Sequence, residues 1–150
     1  RLITETYTRQ QMHDLIHNID CFVSLHRAEA FGLAMAESMA AGKAVIGTAY
    51  SGVLEFMTPE NSYWVDYKLR GVQPEDHRYR PEMLQHFRPG MIWAEPDIEQ
   101  AAEYMVAVHE NPDDARQKGE RAAQHIRQHF SPDAVGAIMQ KRIQRGCLGA

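Results

Sequence analysis

The stretch from Asp20 to Glu55 constrains the fold of this chain more than any other part of the sequence. Its pattern predicts a buried strand over residues 21–25, a helix of small residues that begins near Phe31, and a second buried strand over residues 44–47. A polar turn follows each of these strands and leads into a helix. In doubly wound α/β sheets, two such turns form a crevice lined by helix N-termini, where anionic ligands bind. The stretch therefore predicts a ligand site as well as a fold.

The rest of the first half continues the alternation of strands and helices. Residues 2–7 are rich in β-branched and aromatic side chains and predict a first strand, and Thr8 with Gln11 forms a capping-box pattern for the next helix. The uninterrupted apolar run at residues 21–23 predicts a strand covered on both faces, and residues 63–65 predict a fourth strand. These signals predict a Rossmann-like parallel sheet of the α/β class, in βαβαβαβ order. The side chains expected to face inward from the first helix are Met12, Leu15, Ile16 and Ile19.

A long loop and three helices are predicted for the second half of the chain. Residues 66–91 have no clean period and contain several Pro and Gly residues, so we expect a loop with one short helix near residues 81–86. Residues 92–94 anchor the chain before Asp97, which caps a helix. Two more helices begin at prolines and complete a single partial domain over residues 1–150. The inward side chains expected after Asp97 are Ile98, Ala101, Ala102, Met105 and Val108, and the last helix carries the stripe Val135, Ile138, Met139, Arg142 and Ile143.

The charge balance and the two cysteines exclude several classes of protein. The formal net charge is −4, from 16 basic and 20 acidic residues, so nothing indicates a nucleic-acid partner or a global attraction to anionic lipid. Cys21 and Cys147 lie far apart in the sequence, which suits reduced thiols better than a disulfide framework. Because no apolar run is long enough to cross a membrane, we expect a soluble, cytoplasmic protein. The chain begins without Met, and we interpret it as a piece of a longer protein.

The turn before the small-residue helix carries the candidate chemistry. The backbone N–H groups of Phe31, Gly32 and Leu33 are expected at a helix N-terminus, where they can point at a phosphate with the helix dipole assisting. Glu37 lies five residues beyond Gly32, about 7.5 Å along the helix axis, which is close to the separation of a diphosphate from its ribose hydroxyls. Glu29 is expected on the opposite side of the phosphate, where a sugar would lie. The spacing predicts one carboxylate at each end of a nucleotide-sugar.

Residues 26–46 carry a dense motif, in which two glutamates eight positions apart flank Phe-Gly-Leu and are followed by a small-residue helix, Gly-Lys and a strand. Trp-Ala-Glu-Pro-Asp at residues 93–97 and Phe-Ser-Pro at residues 130–132 are further motifs. Together they resemble the retaining glycosyltransferases of the GT-B fold, in the large group 1 or family 4 class, and the last two resemble its bacterial members. The sequence departs from the family pattern at Ala30, where Gly is frequent, and at Ala44, where Pro is frequent.

The resemblance implies a transferase that moves a glycosyl unit from a nucleotide-sugar donor to a sugar or lipid-linked acceptor with retention, without a metal ion or a cofactor. It implies that Glu29 is the catalytic residue against the donor sugar and that Glu37 binds the ribose. The donor-binding residues that it implies by position are Phe31, Gly32, Leu33, Glu37, Ser51, Gly52 and Glu55. The chain would be the second half of a GT-B C-terminal domain, inactive alone, with the acceptor domain and any membrane contact elsewhere in the parent protein.

Several of these residues also have structural interpretations. Glu55 either charges its helix N-terminus or contacts the ligand, and Ser51 either caps that helix or binds phosphate. His26 and Arg27 lie at a strand end where ligands bind, but a solvated turn explains them equally well. The eight histidines show no metal-binding spacing. For the whole chain, a nucleotide-sugar epimerase or hydrolase of related fold and a non-catalytic, oligomerising fragment are alternatives, and a homo-oligomer is one outcome.

Overall fold

Three parallel strands form the centre of the fold in a computed structural model, which describes residues 2–77, 88 and 90–147. They are β1 (Cys21–Ser24), β2 (Ala44–Thr48) and β3 (Tyr63–Val65), in the order β1-β2-β3. All five residues of β2 are buried, because this strand has a neighbour on each side and helices on both faces. The parallel sheet and its helices make a mixed α/β fold, which is consistent with the predicted Rossmann-like class.

Local sequence signals set the helix boundaries. The capping box is confirmed, because the side chains of Thr8 and Gln11 each accept a hydrogen bond from the backbone N–H of the other. Asp97 caps its helix as predicted and accepts a bond from Gln100 N at 3.0 Å. Gly42, with a φ of +75°, ends the small-residue helix. The helices are α1 (Arg9–Asn18), α2 (Leu33–Ala40), α3 (Ile98–Glu110), α4 (Pro112–Phe130) and α5 (Pro132–Cys147), with 3₁₀ helices at Ser51–Glu55 and Pro74–His77. None of the described helices combines the length and the apolar character that crossing a membrane requires.

Two apolar clusters cover opposite faces of the sheet. On one face, Val45 packs with α2, the first 3₁₀ helix and α4, whose cluster includes the fully buried Met39 and Phe56. On the other face, Ile46 packs with β3, α3 and the start of α4. Successive residues of β2 reach opposite clusters because side chains alternate along a strand. Since each large side chain contributes about 1.5–3 kcal/mol when it is fully buried, both halves of the core depend on β2.

The strand predicted for residues 2–7 is wrong. The structure assigns no strand to these residues, and Leu2 is 86% exposed. A β-branched segment becomes a strand only where a neighbouring strand bonds to it, and within the described residues β1 pairs with β2 alone. The prediction that β1 is covered on both faces is wrong in part for the same reason, because Val23 on this edge strand is exposed.

The described part of residues 66–91 is more regular than the predicted loop. It contains β4 (Tyr67–Gly71), which pairs antiparallel with β5 (Ile92–Pro96) along its whole length. The sequence concealed this pair, because antiparallel pairing depends on a partner far along the chain and leaves little local periodicity in strands this short. The helix predicted near residues 81–86 lies outside the described residues.

Many apolar side chains that were predicted to face inward are exposed. α1 buries Ile16 and α3 buries Ala101, but Met12, Ile98 and Met105 are each at least 40% exposed. A sheet of three short strands presents too little surface to cover the apolar faces of five helices, so each helix packs along a narrower line than its sequence indicates. Leu15 and Ala102 are exposed as well, and so is the apolar stripe of α5 at Val135, Ile138, Met139 and Ile143.

Gly119 of α4 makes one of the closest backbone contacts in the core. A Cβ at this position would overlap the carbonyl group of Gly42, which is backbone and cannot move aside as a flexible side chain can. We therefore expect Gly119→Ala to lower the free energy of unfolding by about 1–3 kcal/mol, measured by urea titration.

Gly136→Ala is the matched control for this substitution, because Gly136 also lies in a helix but has nothing within 4 Å of the added methyl group. Alanine is the better helix former, so this change should be neutral or raise the free energy of unfolding by up to about 1 kcal/mol. Equal effects of the two substitutions would contradict the close packing of α4 on the α2–β2 turn.

Candidate functional site

Two turns meet at the carboxyl edge of the parallel sheet. They emerge at the same edge because β1 and β2, which they follow, are parallel. The carbonyl oxygen of Glu29 in the first turn accepts hydrogen bonds from Ser51 Oγ at 2.6 Å and from Gly52 N at 3.4 Å in the second turn. His26 Nε2 donates to the carbonyl oxygen of Tyr50 at 3.1 Å. The structure thus brings together three of the predicted site residues, Glu29, Ser51 and Gly52.

The second turn depends on a glycine and on a strained serine. A Cβ on Gly52 would overlap the carbonyl group of Ala30, so only glycine allows the two turns to approach this closely. Ser51 has a φ of +71°, a left-handed conformation that residues other than glycine rarely adopt. Its hydroxyl joins the two turns through Glu29, and no side chain caps the 3₁₀ helix that it begins. The interpretation of Ser51 as a helix cap is therefore wrong.

The N-terminus of α2 lies next to these contacts, and the helix begins at Leu33, two residues beyond the start expected near Phe31. Gly32 is the N-cap, with a φ of +88°, and its carbonyl accepts the first intrahelical bond from Ala36 N at 2.9 Å. The N–H groups of residues 32–35 therefore precede the first intrahelical donor. The predicted donor set, residues 31–33, is displaced by one position, because the left-handed Gly32 leaves the Phe31 amide outside the helix.

The residues on either side of Gly32 have different surroundings. The Phe31 ring is half-buried and lies 5.1 Å from the Phe56 ring and 6.0 Å from the Phe130 ring, measured between centroids. Aromatic pairs of this kind contribute about 0.5–1.5 kcal/mol each beyond their buried area. Leu33 is 68% exposed at the first position of α2. Phe31 therefore anchors the first turn to the core, while Leu33 is free to contact a ligand.

The two glutamates of the motif occupy different places. Glu29 is half-buried, and its Oε1 accepts a hydrogen bond from Ala30 N at 2.9 Å. Glu37 is exposed and lines a cavity of about 210 Å³ between α1 and α2, together with His13 and His17, whose rings stack at 5.3 Å. The structure therefore places Glu37 beside two histidines and outside the contacts that join the turns. The sequence shows that His13 and His17 share one face of a helix. It does not show that Glu37 lies near them, because Glu37 belongs to another helix.

Glu55 is exposed and is the last residue of the first 3₁₀ helix. It therefore lies at the wrong end to charge the helix N-terminus, so that structural interpretation is wrong, and a contact with the ligand stays a prediction. Within the described residues, no group of three or more His, Cys, Asp or Glu side chains is arranged to hold a metal ion. A larger cavity, of about 460 Å³, lies near Lys43 and Arg116 at the opposite, amino edge of the sheet, away from both turns.

A network of two arginines and two carboxylates lies beside the first turn and has no local sequence signal. Arg27 Nη2 donates to Glu95 Oε1 at 2.7 Å, and Arg70 Nε donates to Glu95 Oε2 at 2.9 Å. Arg70 also donates two bonds to Asp76, at 2.7 and 2.8 Å. Both guanidinium groups lie over the Trp93 ring, at 4.7 and 5.2 Å from its centroid. Sequence reasoning missed the network because Arg27 and Glu95 are 68 residues apart.

The network lowers the pKa values of both carboxyl groups. Hydrogen bonds from Arg70 hold the pKa of Asp76 at about 2, below its ordinary value of 3.8. Partial burial opposes the effect at Glu95, but bonds from Arg27 and Arg70 still lower the pKa of that carboxyl group. A carboxyl group whose pKa falls on folding stabilises the folded chain while it is ionised. The Asp76 contribution is therefore complete above about pH 4 and is lost as the pH falls through about 2.

We expect Asp76→Asn to lower the free energy of unfolding at about pH 6 and the difference from wild type to shrink as the pH falls toward about 2.5. Urea titrations across this range measure the difference directly. Asp113→Asn is the control, because it removes an exposed ion pair with Arg116 and should cost at most about 1 kcal/mol. A difference for Asp76→Asn that stays constant with pH would rule out the Arg70 contact as its origin.

The segment that contains the two turns is similar to a known protein family. Residues 2–68 match the family model of glycosyl transferases group 1, and this segment contains α1, both turns and the parallel sheet. The match covers less than half of the 150 residues and leaves most of the β4–β5 pair and helices α3 to α5 outside it. No curated protein matches the chain. Over residues 2–68 the chain is therefore similar to the group 1 glycosyl transferases.

Proposed function

We propose that this chain supplies part of the nucleotide-sugar site of a retaining GT-B glycosyltransferase of family 4, which transfers a glycosyl unit to a sugar or lipid-linked acceptor. The observation that carries the proposal is the junction of the two turns through the Glu29 carbonyl, directly beside the N-terminus of α2. Parallel α/β sheets bind phosphorylated ligands at this edge. The group 1 match covers both turns and supports glycosyl transfer in general.

The diphosphate of the donor is proposed to bind at the N-terminus of α2. The amides of residues 32–35 supply donors there, and Gly32 adds no side chain that would hinder the phosphate. Negative charge develops on the leaving diphosphate during transfer, and oriented amides stabilise such charge without reorganising. We therefore propose that transfer uses neither a metal ion nor a cofactor, with the nucleotide-sugar as the donor substrate.

Glu29 is proposed as the residue against the donor sugar. Its bond from Ala30 N fixes one carboxylate oxygen and leaves lone pairs on both oxygens for sugar hydroxyl groups. Ser51, Gly52 and Glu55 are proposed to line the other side of the donor. The Ser51 hydroxyl donates to the Glu29 carbonyl oxygen, and its own oxygen has two lone pairs that can accept hydrogen bonds. The second turn holds the backbone carbonyl of Glu29, and this contact orients the Glu29 carboxylate for its role.

Glu37 is proposed to bind the ribose hydroxyl groups, with His13 and His17 as neighbours. The cavity of about 210 Å³ beside Glu37 is smaller than the usual 300–1,000 Å³ of a complete small-molecule site. It would therefore hold only part of a nucleotide-sugar. The rest of the donor site and the acceptor site are proposed to lie in other parts of a longer cytoplasmic protein, through which any membrane contact would also occur.

Glu37→Ala in the full-length protein is expected to weaken binding of a nucleoside diphosphate about tenfold or more, because charged hydrogen bonds to both ribose hydroxyls are lost. Calorimetric titration measures the affinity, and circular dichroism checks that the fold is intact. Glu110→Ala is the control, since Glu110 is an exposed carboxylate at the end of α3, near the amino edge of the sheet. Unchanged binding in Glu37→Ala would remove Glu37 from the ribose role.

The isolated chain is expected to bind nucleotide-sugars weakly and to transfer none, because much of the pocket lies elsewhere. Calorimetry of the 150-residue chain with a panel of nucleotide-sugars tests the first point, and product analysis with sugar acceptors tests the second. Low-micromolar binding or measurable transfer would contradict the division of the site. Release of free nucleoside diphosphate by the full-length protein at the same rate with and without acceptor would instead favour a hydrolase.

A further inference from the structure

The β4–β5 pair packs against both turns of the donor site. Ala94 N in β5 donates a hydrogen bond to the carbonyl oxygen of Arg27 at 2.9 Å, immediately after β1. The Tyr67 ring at the start of β4 meets the Tyr50 ring edge-on, with centroids 5.0 Å apart. The pair therefore contacts the first turn through backbone and the second turn through an aromatic ring.

Glu95 is the only carboxylate of the network that Arg27 and Arg70 share. Its two oxygens accept one hydrogen bond from each guanidinium group, whereas Asp76 accepts bonds from the Arg70 side chain and from Gln73 N and, in the described structure, none from Arg27. Loss of the Glu95 charge would therefore remove the ion pair between the Arg27 side chain and β5, while the bond from Ala94 N and the Trp93 contact remain. Loss of Asp76 would leave the Arg27–Glu95 bond in place. Glu95 and Asp76 are therefore a matched pair of carboxylates for an experiment, because Glu95 bonds to Arg27 of the first turn and Asp76 bonds to Arg70 of β4.

We propose that Glu95 is a positioning residue of the donor site, which acts through Arg27 to hold the turn that carries Glu29. The proposal rests on the proposed function. Arg27 lies two residues before Glu29, its carbonyl accepts the bond from Ala94, and its guanidinium lies between Glu95 and the Trp93 ring. Restraint on both the backbone and the side chain of Arg27 limits the positions that the Glu29 carboxylate can take. Small displacements of a positioned group are costly for binding and catalysis.

The position of Glu29 affects binding of the sugar and not binding of the nucleotide. This difference distinguishes a positioning role of Glu95 from a general contribution to stability. Glu95→Gln is therefore expected to weaken binding of the nucleotide-sugar donor about tenfold while leaving binding of the matching nucleoside diphosphate unchanged. A residue that only stabilises the fold would affect both ligands equally. Asp76→Asn should leave the affinity for both ligands unchanged.

The experiment is calorimetric titration of the full-length protein and its variants with the nucleotide-sugar that wild type binds and with its nucleoside diphosphate. Arg27→Gln removes the other partner of the Arg27–Glu95 ion pair. It therefore provides the same test if Glu95→Gln does not fold. The double variant should bind the nucleotide-sugar no more weakly than Arg27→Gln alone, because the two residues act as one unit.

Equal losses for both ligands, equal losses in Asp76→Asn and Glu95→Gln, or additive losses in the double variant would each overturn the positioning role and leave the proposed function standing. Failure of the wild-type protein to bind any nucleotide-sugar or nucleoside diphosphate would overturn the proposed function, and the positioning role with it. A loss for the nucleotide-sugar alone, seen in Glu95→Gln and Arg27→Gln but not in Asp76→Asn, is the result that supports Glu95 as a positioning residue.

Discussion

The hydrogen bonds to the Glu29 carbonyl are the interaction on which the candidate site depends. They join two turns that follow different strands, and they form only because Gly52 lacks a side chain and Ser51 adopts a left-handed conformation. Such strain persists where the surrounding structure holds it, and it is often found at functional sites. Here the sheet beneath the turns provides that support, since all of β2 is buried and both core clusters pack on it.

The charged network beside the turns acts more on position than on stability. The ion pairs of Glu95 with Arg27 and Arg70 are partly exposed, and exposed ion pairs contribute about 0–1 kcal/mol each. Their geometry is nevertheless well defined, because one carboxylate joins two planar guanidinium groups and Trp93 lies beneath both. The β4–β5 pair is thus attached to the first turn by directional contacts, which suits a surface that must keep its shape around a ligand.

Sequence reasoning succeeded where the signal was local. The capping box of Thr8 and Gln11, the Asp97 cap and the left-handed Gly42 are recognisable from a few neighbouring residues, and the structure has all three. It failed where the outcome depended on a distant partner. Residues 2–7 have strand-forming side chains but no strand beside them among the described residues, whereas β4 forms a strand because β5 returns to pair with it. The inward face predicted for α3 was wrong in part, since Ala101 is buried but Ile98 and Met105 are exposed where the small sheet leaves them uncovered.

The amino-acid sequence by itself determined the strand, turn and helix pattern of residues 20–55 and the spacing of Glu29 and Glu37, because hydrophobic periodicity and helix signals act over a few residues. Only the tertiary structure decided which groups meet. It joined Ser51 to Glu29 across 22 residues and Arg27 to Glu95 across 68, and it placed Glu37 beside the histidines of another helix. These contacts depend on how the packed helices and strands approach one another in space. The local hydrophobic periodicity of the chain does not encode that arrangement.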